Sequence, residues 1–293
     1  MRHDTGKDRE LAAFLQSRRA RLRPEDVGLA ASGERRRVPG LRREELAALA
    51  GVSIAHYTRL EQGNARNVSA AVLDAVARAL RLTEDERLYL HRRAHPEPAP
   101  PVDTPVLRLG LRQLLASMET VPALILDSDT TVVAWNRLGA ALWADFAAVP
   151  RERRSISHLL FLDADFRRLH GDHLPRVARE AVAHLRTLAA RYRGDAALAA
   201  HIARMRAESP EFDGLWNALH VRGVTHRVYR LEHPEVGAIE VHGELLPLPD
   251  DPPLRLDLFT TVPGSASHAA LRRLAAVSTR QASNVMYART HEP

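Results

Sequence analysis

No cysteine occurs among the 293 residues. Its absence excludes disulfides, thiolate metal sites and cysteine nucleophiles, and makes a reducing compartment the default. No apolar run approaches the roughly 18 residues that span a bilayer, so no membrane partner is expected. Residues 1–10 are polar and charged, without the apolar core of a signal peptide, and a cytoplasmic location is expected. Also missing are a phosphate-cradling glycine loop, a nucleophile elbow and a paired-carboxylate signature. The series His220, His226, His233 and His242 lacks the short pairs that set two ligands on one helical face. Surface or core positions on strands explain these histidines more cheaply, so neither a metal site nor an enzyme activity is expected. Lysine is nearly absent too: Lys7 is the sole example, and every other cationic side chain but histidine is arginine. No mechanism follows from that bias.

What is present is an ordinary globular composition, 45% hydrophobic and 27% charged, in a chain long enough for two domains. Charge is unevenly placed. Residues 1–95 hold 19 of the 42 Lys and Arg but only 13 of the 36 Asp and Glu, so the remainder of the chain is balanced. An excess confined to one third is what a domain facing a polyanion would show. The boundary is legible as well. The run HPEPAPPVDTP, residues 95–105, carries five prolines in eleven positions, which remove backbone donors and favour extended conformations. The expected organisation is a domain over 1–95, a linker over 96–105, a second domain over 106–280 and a tail over 281–293.

The first domain reads as five helices. Leu11, Phe14, Leu15 and Leu22 share a face of the first, and a loop over 23–40 follows, containing the run Arg35-Arg36-Arg37. A second helix over 42–50 buries Leu46 and Leu49 and is broken by Gly51, where a tight turn wants a left-handed residue. Ser53 caps a third helix to about residue 62, with Tyr57 and Leu60 inward, and Gly63 ends it. Leu73, Val76, Ala77 and Leu80 space a fourth helix from Ser69. Thr83 and Glu86 form a capping box that opens a fifth, which includes Leu88.

Residues 44–63, EELAALAGVSIAHYTRLEQG, are two short helices about a glycine turn. Leu46-Ala47, Gly51-Val52-Ser53 and Leu60-Glu61-Gln62-Gly63 resemble the helix-turn-helix of the lambda-repressor/Cro (XRE) family. In that geometry the first helix braces against the backbone and the second lies in the major groove of double-stranded DNA. Ala47, Val52, Tyr57 and Leu60 read as core, and Glu61 as structural. The resemblance puts Ile54, Ala55 and Arg59 at base edges: Arg59 suits guanine, and Ile54 and Ala55 suit a thymine methyl. A solvated or phosphate-bound Arg59 is the bland alternative. Ser53, His56 and Thr58 are groove neighbours, while Arg43, Asn64, Arg66 and Asn67 are expected on the phosphate backbone. The Arg35–Arg37 run is either a solvated face or a clamp on phosphates or the minor groove.

Beyond the linker, residues 107–117 read as a helix. Residues 121–127 and 130–135 form a hairpin about Ser128-Asp129, and Asn136 caps a helix to about 146. That opening resembles a PAS domain. Helices over 177–190 and 196–207 follow, then strands over 225–231, 237–246 and 254–261, then a final helix from 271. The segments SHLLFLDADFRRLHGD (157–172), SPEFDGLWNALHVRG (209–223) and HPEVGAIEV (233–241), with PGLRREELAALAGVS (39–53), are similar to the MmyB-like family of actinobacterial regulators. His173 departs from that family, which commonly carries tryptophan there.

The fold class expected is therefore an all-α helix-turn-helix domain followed by an α+β PAS-like domain with a five-stranded antiparallel sheet. The resemblance implies a DNA-binding transcriptional regulator, without a bound cofactor, whose second domain takes a fatty-acid-like or other apolar effector. Trp135, Trp143, Trp216 and His220 are candidate ligand residues, with core packing as their alternative reading; Phe161 is a further large group of the same kind. A homodimer is expected, because two-fold operators demand paired reading heads about one helical turn apart. A second domain serving only dimerisation or partner binding stays open as an alternative. If the Arg35–Arg37 run is a clamp, replacing all three by alanine should lower the slope of log affinity against log salt by about 2 to 3. A salt titration of DNA binding with an unchanged slope would leave the run as a solvated face.

Overall fold

A computed structural model describes residues 8–29, 40–65, 67–96, 107–222, 226–251 and 254–280. The Arg35–Arg37 run, Arg66, almost the whole linker and the 281–293 tail lie outside them. The chain divides into two compact units, the first built on residues 1–98 and the second on residues 99–189 and 194–293.

In the first unit α1 (Arg9–Arg21) is capped by Asp8, which accepts from Leu11 N at 3.0 Å, and buries Leu11, Phe14 and Leu15. A 3-10 turn at Pro24–Val27 follows. Then come α2 (Arg43–Ala50), α3 (Ile54–Glu61), α4 (Ala70–Ala79) and α5 (Glu84–Ala94). The caps are those expected: Gly51 sits at φ 66 behind α2, Ser53 and Ser69 cap α3 and α4, and Thr83 exchanges bonds with Glu86. Leu73, Val76, Ala77 and Leu80 are all buried, and Phe14 meets Tyr89 with ring centroids 4.8 Å apart. Three expectations are corrected. Leu49 is 39% exposed, because the buried stripe of α2 runs through Leu46, Ala47 and Ala50 and leaves Leu49 off it. Leu22 does not continue the α1 face; it is the extended residue that ends the helix and is half-buried. Val52, read as core, is also only half-buried.

The second unit opens with α6 (Leu109–Ser117), strands β1 (Ala123–Leu126) and β2 (Val132–Trp135), and α7 (Arg137–Trp143), which stops three residues short of the expected end at 146. Next are α8 (Ile156–Leu162), α9 (Ala164–Leu169), α10 (Leu174–Arg191), α11 (Ala196–Glu208) and α12 (Pro210–Asn217). Strands β3 (His226–His233), β4 (Gly237–Pro247) and β5 (Arg255–Thr260) precede α13 (Ala266–Arg280). The five strands form one antiparallel sheet in the order β2-β1-β5-β4-β3.

Strand alternation divides the sheet into two faces. Ala123, Ile125 and Leu256 point to the side covered by Leu111 and Leu115 of α6, one closed apolar cluster. The register Leu124↔Asp257↔Leu245 and Phe259↔Gly243↔Arg227 sends the alternate residues to the opposite face. Asn136 fixes the start of α7 against the sheet. Its Oδ1 accepts from Gly139 N at 2.7 Å and Ala123 N at 3.0 Å, and its Nδ2 donates to the carbonyls of Met118 and Val121, both at 2.7 Å. A cap is worth about 1 kcal/mol and each buried orphan costs about 1–3 kcal/mol. Asn136→Ala should therefore lower unfolding free energy by about 3 kcal/mol or more in urea titrations. Asn136→Asp, which keeps the acceptor but loses both donors, should fall between. A loss below about 1 kcal/mol for the alanine variant would show that the hub is not needed.

Candidate nucleic-acid interface and interior cavity

The turn between α2 and α3 is closed by Gly51 N and Val52 N, which donate to Ala48 O at 3.1 Å and Ala47 O at 3.0 Å. Ser53 Oγ accepts from His56 N at 3.2 Å, so α3 starts abruptly after the turn. Its inward stripe is Tyr57, Leu60 and Glu61, all fully buried. On the outward stripe Ile54 is 50% exposed, Ala55 and Arg59 are exposed, and His56 and Thr58 are half-buried. Ser53, Asn64 and Asn67 are exposed alongside, Asn67 in the left-handed region at φ 65.

Glu61 holds this arrangement. It is fully buried, and it accepts from Arg19 Nε of α1 at 2.5 Å, from Arg43 Nε of α2 and from the Tyr57 hydroxyl at 3.1 Å. Arg19 also donates to Leu41 O at 2.5 Å, just before α2. Burial, with the carboxylate beside it, pushes the Tyr57 phenol well above its ordinary range, so it stays a donor. The hydrogen bond to Glu61 likewise raises Arg43. Arg43, expected as a backbone contact, is thus ion-paired through Nε while its side chain is 46% exposed.

A cavity of about 660 Å³, counting the mouth where it opens to solvent, lies within the second unit. Leu124, Leu245, Tyr229 and Phe259 line it from the sheet, and Ile156, Leu160, Phe166, Val177 and Leu185 from the helices. Trp143, at the end of α7, is its aromatic centre. That indole meets Tyr229 and Phe259 edge-on with centroids 5.1 and 4.9 Å away, Phe166 at 6.0 Å and His170 at 6.1 Å. Gly243 leaves room for two of these rings, since a Cβ there would stand 2.9 Å from the Tyr229 ring and 3.2 Å from Phe259.

The cavity's polar groups differ in how well they are satisfied. Arg255 Nε pairs with Asp257 at 3.0 Å, and its Nη1 lies 3.2 Å from His184 Nε2. Arg227 Nε stands 3.5 Å from Glu180, which also receives Arg176 and Arg222 at 3.1 and 2.7 Å. Burial pushes the Asp257 carboxyl upward, opposed by Arg255. Among the described residues, Trp143 Nε1 and both ring nitrogens of His170 have no hydrogen-bond partner, although Trp143 is 6% and His170 2% exposed. Burial, with Arg227 and Arg176 nearby, lowers His170 to about 4, so it is neutral at physiological pH.

A serine–histidine pair also reaches the cavity. Ser157 Oγ lies 2.6 Å from His201 Nε2, and His201 Nδ1 lies 3.1 Å from Arg204 Nη2. Arginine can only donate, so Nδ1 accepts and Nε2 carries the proton that goes to Ser157. That tautomer cannot take a proton from the hydroxyl, and the pair lacks the base that nucleophilic catalysis needs.

Of the four ligand candidates, Trp143 lines the cavity. Trp135 instead packs on Phe146 at 5.4 Å beneath the Arg154 guanidinium, and Trp216 stacks on Phe212 at 5.9 Å beneath Arg186. Phe161 likewise packs against Phe212, 5.2 Å away. His220 is exposed beyond the end of α12. The histidine series is not gathered: His233 is engaged by Ala141 O at 2.9 Å and Glu235 N at 3.2 Å, and no group of three potential ligands suits a metal among the described residues. Sequence reasoning missed His170, Tyr229, Arg227 and Phe259. The signal for the last three was strand alternation, once register is known.

A helix-turn-helix domain family model matches residues 10–90. A second, the MmyB-like transcription regulator ligand binding domain, matches residues 107–274. No curated protein matches the chain.

Stability of a fold that holds a histidine neutral by burial is fully present above that residue's ordinary value of 6.5 and is lost as pH falls toward about 4, because the unfolded chain takes the proton first. His201 is lowered to about 4 in the same way. Unfolding free energy should drop between pH 7 and pH 4.5, and His170→Phe should reduce that drop by about 2 kcal/mol. Denaturant titrations at the two pH values measure the difference; an identical drop in the variant rules out a buried neutral His170.

Proposed function

The chain belongs to the MmyB-like transcription regulators, as a DNA-binding regulator with a ligand-binding domain, and on that premise we propose that it reads DNA through the exposed stripe of α3 and senses an apolar small molecule in the cavity. The observation that carries the sensing reading is the cavity itself. It is mostly apolar, sits on one face of the sheet and is lined by residues of the matched ligand-binding segment. A fatty-acid-like chain is the effector class that the family resemblance implies.

For DNA, the reading assigns Arg59 to a guanine edge and Ile54 and Ala55 to apolar contact, with Ser53, His56 and Thr58 beside them. Arg43, Asn64 and Asn67 serve the phosphate backbone, together with Arg66 outside the described residues. The regulator acts as a homodimer, because a single helix-turn-helix buries little duplex and two-fold sites need two heads. Effector binding shifts the spacing or order of those heads across the proline-rich linker. Such a shift requires different effector affinity for the two states.

Genomic footprinting supplies the operator, and gel shift or anisotropy then measures affinity with and without apolar extract. Arg59→Ala should weaken operator binding about 5- to 150-fold, matching roughly 1–3 kcal/mol for a bidentate pair, and relax specificity at one base pair. Binding to random duplex should change little. Purified protein that prefers no duplex over random competitor at low salt would overturn the DNA reading. Operator affinity indifferent to every apolar fraction would leave the second domain to dimerisation alone.

A further inference from the structure

We propose that the effector carries a neutral hydrogen-bond acceptor, a carbonyl of the ester, lactone or ketone type, held by the indole N–H of Trp143 and the imidazole of His170. This rests on the sensing reading above and specifies the head group that the cavity selects.

Trp143 Nε1 and both nitrogens of His170 are buried without a partner among the described residues, on rings whose centroids stand 6.1 Å apart at the cavity wall. Buried polar atoms are almost always paired, and leaving them unpaired costs stability. Three such atoms on two neighbouring rings lining one cavity are therefore groups kept for a ligand. Their chemistry is specific. An indole offers one donor and no acceptor, and a neutral imidazole offers one of each. A carbonyl oxygen has two lone pairs and takes both donors, leaving the second imidazole nitrogen for a hydroxyl or a water.

An anionic head fits less well. The cavity's two arginines already face carboxylates, Arg255 facing Asp257 at 3.0 Å and Arg227 facing Glu180 at 3.5 Å. Arg176 and Arg222, which share Glu180, are 40% and 58% exposed, so water screens them. A carboxylate beside Trp143 would be a buried charge with no cation of its own. The rival arrangement places it at Arg227, whose Nε has no hydrogen-bond partner among the described residues.

The test uses the full chain and four probes of similar length: undecane, 2-undecanone, methyl decanoate and decanoate, titrated by calorimetry at pH 7.5. The ketone and the ester should bind at least about tenfold more tightly than the alkane, and more tightly than decanoate. The ¹⁵N-labelled indole N–H resonance of Trp143, assigned by its loss in Trp143→Phe, should move downfield with the ketone and not with the alkane. In Trp143→Phe and in His170→Phe the ratio of ester to undecane affinity, both measured on the same variant, should lose most of the advantage seen in the parent. Decanoate binding most tightly, with sensitivity to Arg227→Gln and none to Trp143→Phe, would overturn the neutral head group and leave the sensor reading standing. Binding of all four probes with equal affinity also overturns it. Failure of every probe, undecane included, overturns both the head group and the cavity as a ligand site.

Discussion

The geometry of the helix-turn-helix depends on one buried carboxylate. Glu61 is the last residue of α3, where the partial negative charge of the helix end disfavours an anion. It is nonetheless fully buried, because Arg19 from α1 and Arg43 from α2 converge on it with the Tyr57 hydroxyl. A buried charge stripped of its partner costs several kcal/mol, on the order of 3–5. The three helices are therefore fixed by a condition that cannot be relaxed piecemeal: moving any one strands the charge. Arg43 couples this core to the surface, since its Nε is committed to Glu61 while its side chain stays half-exposed beside the outward stripe.

The second unit meets a different constraint. Each strand must serve two faces, and period-two alternation gives one face to the closed α6 cluster and the other to the cavity. The same register that seats Ile125 opposite Leu256 seats Leu124 opposite Asp257. Filling the cavity face would therefore need only different residues at alternate positions. Instead Gly243 leaves room for the Tyr229 and Phe259 rings, and polar side chains are set among apolar ones. Most of them are paired. Among the described residues the Trp143 indole and the His170 imidazole are unpaired, and buried unpaired polar atoms cost stability that a hydrogen-bonding ligand would recover.

Legibility in the sequence followed how local each determinant was. Gly51, Ser53, Thr83 with Glu86, and Asn136 act within a few residues, and each does in the structure what local chemistry requires. The sheet's strands were visible from alternation and apolar runs. The helices α8, α9 and α12 went unassigned because at seven, six and eight residues they show little periodicity; their signal was the caps Ser155, Asp163 and Ser209. Leu49 misled because three-residue spacing from Leu46 fits more than one stripe on so short a helix. The cavity was least legible. Size singled out Trp135 and Trp216, yet guanidinium groups from Arg154 and Arg186 cover both. Arg227, Tyr229 and Phe259 line the cavity through strand parity and cross-strand register, which no single segment reveals. His170 enters by its place after α9, at a junction without periodicity.

Set side by side, the two units divide the work of a regulator along a physical line. A ligand shifts an equilibrium only through interactions that differ between the two states. The reading helix offers little scope for that, because its core is closed and its one buried acid is satisfied three times over. The cavity offers more, since donors without a partner among the described residues can gain hydrogen bonds. Response energy therefore belongs with the unsatisfied atoms, and fixed geometry with the satisfied ones. A base-reading helix profits from rigidity, as an ångström of misplacement spoils a bidentate contact. A sensor profits from an incomplete interior, because whatever completes it is what the protein can detect.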